Sequence, residues 1–388
     1  MKRVQVLSAY DGLDRNAFLH EGLVDYYSSI DEGSMLTSKV AVIEFDDDSK
    51  VTLNWVLDQI GGISDLNRAE RPVVVKVGVF SHKADNHTSV STVNAIVHCF
   101  DKAPKIYLAE SDNYQGTGTE RLQIWKDLFT DRVVPFNLSD DPDTHRVTLA
   151  GEEMHLSRIL FKPHVRVSTH ILRVYEGGSI LKNLFGCLST PKKAKYHKVL
   201  PTLLADLYEA IGGVELAVLD GTYFRRGTGK APVQTNTLLA GRDAVAVETV
   251  GATLAGLNPQ KMPVMQEFLK RGLGEGNLEN IELVGAALEP LKERFASAAT
   301  AQKKLLAQRT GPQTWGGHAY QALEGLIREG FFNHPNQRTL DQVVRALEAK
   351  GLSTKGKETN ISDSLARRVR KGALRKSKGP NGWVYWTE

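Results

Sequence analysis

RPVVVKVGVF, residues 71–80, is the stretch whose reading decides the fold. Half of it is Val, whose branched side chain favours the pleated strand. It does not alternate between apolar and polar residues, so it reads as a strand buried on both faces. Such a strand belongs in a parallel sheet covered by helices on each side. Lys76 breaks the apolar run. A lysine there is paired with an acid, or it meets a ligand where the strand ends.

Working outward, strand-like and helix-like segments alternate. SKVAVIEF (38–45), KIYLAESD (105–112) and ELAVLDG (215–221) read as further strands. STVNAIVHCFDK (91–102), LPTLLADLYEAIG (200–212) and DAVAVETVGATLAG (243–256) read as helices. This order predicts an α/β fold with a mixed or mostly parallel sheet and flanking helices over residues 1–289, arranged as two lobes around a cleft. A charged, Ala-rich helix over 290–312 is expected to be a connector ending at Gly311-Pro312. Residues 313–388 then give three helices (320–332, 339–351, 360–372) and a hairpin (373–388). Asn360 or Ser362 is the expected cap of the third helix. That order predicts a winged helix-turn-helix.

Composition limits the function classes. With 41% hydrophobic and 24% charged residues among 388, the chain is globular in character. No apolar run reaches the roughly 18 residues of a membrane span. Cys99 and Cys187 are the two cysteines, and no C-x-x-C occurs. That excludes a disulfide framework and an iron–sulfur cluster on a local cysteine motif, and it fits a reducing, cytoplasmic setting. MKRVQVLSAYDGLD has no apolar core, so no secretion signal is expected, and the first 35 residues read as a polar, surface-packed segment. The net charge of +4 is uneven: residues 313–388 hold 13 Lys/Arg and 7 Asp/Glu, a net of +6, which leaves −2 for the rest. A local basic excess suggests a local anionic partner.

Chemistry-bearing residues gather after the strands, where α/β sheets bind ligands. Besides Lys76, these are His82, Asp85 and His87, then Glu110 and Asp112, then Asp220, with Asp243 as a ligand residue or a helix cap. The stretch 170–201 adds His170, Gly177-Gly178, Lys182, Asn183 and His197. It reads as the floor of the cleft, with His170 and Lys182 facing in. His170 and His197 are candidate ligands of a divalent metal ion, or acid/base groups. Lys182 is a candidate anion anchor or nucleophile. Gly177 and Gly178 would let the backbone approach a ligand. Lys192, Lys193 and Lys195 read as solvated lysines. In the tail, Arg367, Arg368, Arg370, Lys371, Arg375 and Lys376, followed by Lys378, form a candidate DNA or RNA contact. Trp383, Tyr385 and Trp386 read as packing residues.

Longer stretches bring a family into view. VVVKVGV, LAESD, STHILRVYEGGSILKNLFGCL, YHKVLPTLLADLYEAI, LAVLDGTYFRRGTGKAPVQTNTLLAGRDAVAVETVGATLAG and RGLGEGNLENIELVG stand in the order seen in the domain of unknown function 362 family. The resemblance runs from about Val40 to Gly285. It implies an α/β domain whose recurrent polar positions are Lys76, Glu110, His170, Lys182, Asn183, Asp220 and Asp243. The chain departs from the family pattern at Ser168 and Glu248, and it lacks the ferredoxin-like cysteines many members carry. A looser likeness is to lactate racemase, in the order His170, Gly177-Gly178, Lys182, His197, which there serves a nickel-pincer cofactor. Three readings follow: a ligand- or metal-binding, catalytic cleft for a small anionic molecule; a ligand-responsive nucleic-acid regulator; and a protein-docking adaptor with an inactive cleft.

Overall fold

The computed structural model describes residues 38–44, 49–81, 86–226, 232–310, 315–380 and 382–387. The expectations for the first 35 residues and for His82 and Asp85 lie outside these. The described chain runs β1 (Ser38–Glu44), α1 (Ser49–Gln59), β2 (Val73–Val77), β3 (Val79–Ser81), β4 (Asn86–His87), α2 (Val90–Cys99), β5 (Ile106–Glu110) and α3 (Gly118–Leu122). It continues with β6 (Val133–Asn137), β7 (Thr144–Leu149), β8 (Glu152–Ser157), β9 (Val165–Val174), α4 (Ile180–Asn183), α5 (Leu200–Ala210), β10 (Leu216–Arg226) and β11 (Val233–Gly241). Then follow α6 (Ala244–Leu254), α7 (Pro263–Lys270), β12 (Ile281–Gly285) and α8 (Leu288–Thr310).

Among the described residues the main sheet has eight strands in the order β12-β1-β11-β10-β9-β2-β5-β6. The pairs β2–β5, β2–β9, β5–β6, β9–β10 and β1–β12 are parallel. The pairs β1–β11 and β10–β11 are antiparallel. The sheet is therefore mixed and mostly parallel. It is one sheet, so the expected pair of lobes resolves into helical layers on its two faces. All five residues of β2 are buried, as an unalternating apolar strand requires.

Strand alternation sorts side chains onto the two faces. Val74, Ala217 and Leu219 join one core with Leu203 and Leu204 of α5, Val245 and Val250 of α6, and Phe268 of α7. Val73, Val75, Val77 and Val218 join the other with Leu53 and Val56 of α1, Ile96 of α2, and Trp125. α8 is less free than a connector. Leu291, Phe295 and Ala298 are buried in the first core, and Arg294 pairs with Glu44. The sparse apolar residues of this helix sit at helical spacing on one side, which its average composition hides.

The tail comprises α9 (Trp315–Arg328), β13 (Arg338–Thr339), α10 (Leu340–Ala349), α11 (Glu358–Arg370), β14 (Arg375–Gly379) and β15 (Gly382–Trp386). Its strands form a separate sheet, β13-β15-β14, over a separate core that includes Leu323, Leu326, Val343, Leu347, Leu365 and Tyr385. Thr339 and Gln342 form a capping box at α10. α11 starts earlier than expected. Its N-cap is Lys357, without a side-chain cap, so Asn360 and Ser362 lie inside the helix.

Phe295→Ala is expected to destabilise the fold by about 3–5 kcal/mol, the usual cost of emptying an aromatic core position. Urea unfolding checks this; a change below about 1 kcal/mol would mean the helix is only a tether.

Candidate functional site

The chain leaves β2 toward β5 and β6 on one side of the sheet. β9, the other parallel neighbour of β2, is followed by β10 on the opposite side. The strand order thus reverses between β2 and β9, and open α/β sheets bind ligands at the carboxyl ends of such neighbours. A cavity of about 670 Å³ lies there, lined by residues of β2, β5, β9, α3, α4 and the turns over 185–197.

Its inner wall is a buried charge cluster. Lys76 on β2 donates to Glu110 at the end of β5 (2.9 Å), to the Val77 carbonyl (2.9 Å) and to Asn183 Oδ1 (3.1 Å). Arg121 approaches Glu110 at 3.3 Å from α3. Lys193 donates to Ser111 Oγ (2.5 Å), whose hydroxyl donates to the Gly186 carbonyl (2.5 Å). Burial alone would raise the Glu110 carboxyl, but Lys76, Arg121 and Lys193 hold it below its usual range. Asn183 fastens the cluster to the sheet by donating to the Lys76 carbonyl (2.7 Å) and the Thr169 carbonyl (3.1 Å). Gly186 has to be glycine here. A Cβ would stand 2.5 Å from Lys76 Nζ and 2.6 Å from Glu110 Oε1.

His170, on β9, is 5% exposed and lines the cavity. Its Nδ1 donates to the Ile171 carbonyl at 2.8 Å, which leaves Nε2 as the lone-pair nitrogen of the neutral ring. Burial, and after it the charge of Arg173, pushes its pKa well below the usual value. Gly78 makes room for the ring, since a Cβ there would come 2.7 Å from His170 Cγ.

Lys182, on α4, differs from Lys76. Among the described residues no carboxylate lies within ion-pair distance of it. Its Nζ faces the rings of Tyr175 (4.8 Å) and Phe185 (5.3 Å). Burial, with Arg173 nearby, pushes its pKa down to about 8. Arg173 itself donates to Asn86 Oδ1 (2.7 Å) and is pushed down to about 10, mainly by burial. The turn that carries Lys182 is held from below by Glu248. This buried carboxylate accepts the Ser179 N–H (2.8 Å) and the Leu181 N–H (3.0 Å), and burial raises its pKa. Val79, Phe80, Tyr114 and Phe185 supply apolar wall.

The cavity therefore unites Lys76, Glu110, His170, Lys182, Asn183 and His197. It does not unite the other expected residues. Asp220 is buried and accepts from the Ser89 N–H (2.8 Å) and the Thr222 N–H (2.9 Å), tying β10 to the start of α2. Asp243 caps α6 through the N–H groups of Val245 and Ala246, and also accepts from Ser38 Oγ and the Glu275 N–H. Asp112 accepts from the Gly118 N–H and Asn137 Nδ2. Gly177 and Gly178 make room for the protein's own side chains: Cβ atoms there would crowd Tyr175 and Glu248. His87 lies against Trp125. His197 is exposed at the mouth, edge-on to Phe185 at 5.2 Å.

Among the described residues no three His, Cys, Asp or Glu side chains come together as a metal-ligand group. No third His, Cys, Asp or Glu among the described residues gathers with His170 and His197. Sequence reasoning also missed partners. Lys193, read as solvated, is 7% exposed, and burial pushes its pKa down to about 8. Lys192 and Lys195 are exposed as expected. Arg121 and Arg173 carried no signal beyond being cations near strand ends.

Glu110→Gln is expected to cost about 3–5 kcal/mol, because it strands buried cations. Lys182→Met is expected to melt at or above the parent temperature, since it removes a half-buried charge without an acid partner. Calorimetry on both variants tests the division; early melting of Lys182→Met would make that lysine structural.

No curated protein and no solved structure matches the chain, so the likeness to lactate racemase rests on the order of four sequence features. Residues 73–253, a span shorter than the resemblance read above but containing every residue that lines the cavity, match the family model described as a domain of unknown function (DUF362).

Proposed function

We propose that the cavity binds a small organic anion, a carboxylate or phosphate compound with a modest apolar body, and that His170 exchanges a proton with it. One observation carries this reading. Lys76, Arg121, Arg173, Lys182 and Lys193 line the cavity, and among the described residues Glu110 is the one carboxylate that lines it with them. Glu110 answers the cations on the inner wall, and Lys182 with Arg173 remains for the ligand. A neutral His170, fixed with Nδ1–H toward a carbonyl, offers Nε2 as a general base. The aromatic rings suit the apolar part. No metal ion is needed for this assignment.

A second reading concerns the tail. We infer that it is a winged helix, because three helices precede a hairpin whose outer partner strand, β13, comes from between the first two helices.

Calorimetric titration with inorganic phosphate, malonate and glycerol 3-phosphate tests the cavity reading. At least one is expected to bind the parent, and Lys182→Ala is expected to weaken it at least tenfold. Affinity should be highest below pH 8 and fall as pH rises through about 8, because Lys182 loses its charge there. An ordinary lysine would hold its charge up to about pH 10. No binding by any of the three anions, or binding unchanged in Lys182→Ala, would sink the reading.

A further inference from the structure

The positive charge of the tail is not spread evenly. From Leu365 to Thr387 the chain has seven Lys/Arg and no Asp or Glu. The structure separates one of the seven. Arg368 is 5% exposed, pairs with Glu324 at 2.8 Å, donates to Ser364 Oγ at 2.6 Å and covers the Tyr320 ring at 4.7 Å. It belongs to the tail's own packing, so its expected nucleic-acid role is withdrawn. The other six, Arg367, Arg370, Lys371, Arg375, Lys376 and Lys378, are exposed.

Helix periodicity arranges three of them. Ile361, Leu365 and Arg368 are the buried side of α11. Arg367, Arg370 and Lys371, at positions i, i+3 and i+4, lie together on the side turned away. Among the described residues none of these three has an acid within ion-pair distance. The hairpin adds Lys376, opposite Tyr385, and Lys378, opposite Trp383. Tyr385 is buried in the tail's core, but Trp383 is 50% exposed with Lys376 Nζ 4.3 Å above its ring. Of the three hairpin aromatics expected to serve core and wing packing, Trp383 thus lies outside the core, on the wing against Lys376.

We propose that this surface binds duplex DNA, with the outer side of α11 in the major groove and the β14–β15 hairpin on the adjoining backbone. The charge distribution favours a polyphosphate. A protein-docking face needs an apolar centre, whereas Trp383 and the Arg368-covered Tyr320 are the large apolar side chains exposed in this unit among the described residues. A single strand needs several aromatic platforms, and Trp383 is one. The deep, narrow major groove of A-form RNA does not admit a helix, but that of B-DNA does. The choice of groove rests on the winged-helix reading.

The test is fluorescence anisotropy of the full chain with a labelled mixed-sequence 20-bp duplex between 50 and 200 mM NaCl. Affinity is expected to fall with salt at a log–log slope of roughly −4.5 for five phosphate contacts. The combined Arg367→Ala, Arg370→Ala, Lys371→Ala variant is expected to lose at least tenfold in affinity and to flatten the slope. Lys376→Gln with Lys378→Gln repeats the test on the hairpin, should the helix variant fail to fold by circular dichroism. Lys182→Ala is expected to bind DNA as the parent does, which separates this proposal from the cavity. No binding at 50 mM NaCl, or parent-like binding by both tail variants, overturns the proposal and leaves the winged-helix reading of the fold standing. A single-stranded 20-mer bound as tightly as the duplex overturns the duplex assignment. Loss confined to the hairpin variant overturns the helix-in-groove placement.

Discussion

The bond between Lys76 and Glu110 is the constraint around which the site is organised. Neither group tolerates burial alone. Lys76 stands on β2 and Glu110 on the adjacent β5, so meeting at their carboxyl ends locks the heights of the two strands. Asn183 adds β9 to the lock through the Thr169 carbonyl. α3 joins through Arg121, and the turns beyond α4 through Lys193 and Gly186. Elements far apart in sequence are thus aligned by one carboxylate and its cations. The inner wall of the cavity follows from that alignment, and the turns over 185–197 complete the lining.

A division of labour among the cations results. Lys76, Arg121 and Lys193 surround Glu110 and hold the framework together. Lys182 and Arg173 sit where burial weakens their hold on a proton, with aromatic rings for neighbours. The same residue type therefore plays two parts, decided by whether an acid is within reach. Glu248 shows the opposite arrangement: an acid buried among backbone N–H groups, with the raised pKa that burial imposes.

Much of this was legible in sequence. Val-rich runs gave the parallel strands, because burial on both faces leaves no alternation. Lys76 stood out because a charge inside such a run needs a reason. His170, Lys182 and Asn183 were found through a dense polar stretch between apolar elements. What escaped depends on contacts across the chain. An acid after a strand looks the same in sequence whether it faces a cavity, as Glu110 does, or caps the next helix, as Asp243 does. Lys193 and Lys195 sit two positions apart in one basic run, yet one is buried against Ser111 and the other pairs with Glu152 at the surface. Arg368 is flanked by exposed cations and turned inward by helix periodicity alone.

The excess of cations around the cavity also has a bearing on the lifetime of the protein. Like charges held together raise the energy of the folded chain, and an anion seated among them lowers it again. Binding to the folded state alone stabilises it by RT ln(1 + [L]/Kd), so resistance to opening grows with ligand supply. Proteolysis that acts on the opened form then proceeds more slowly when ligand is plentiful. On the proposed reading of the cavity, the amount of protein would then follow the supply of the anion, without any dedicated sensor.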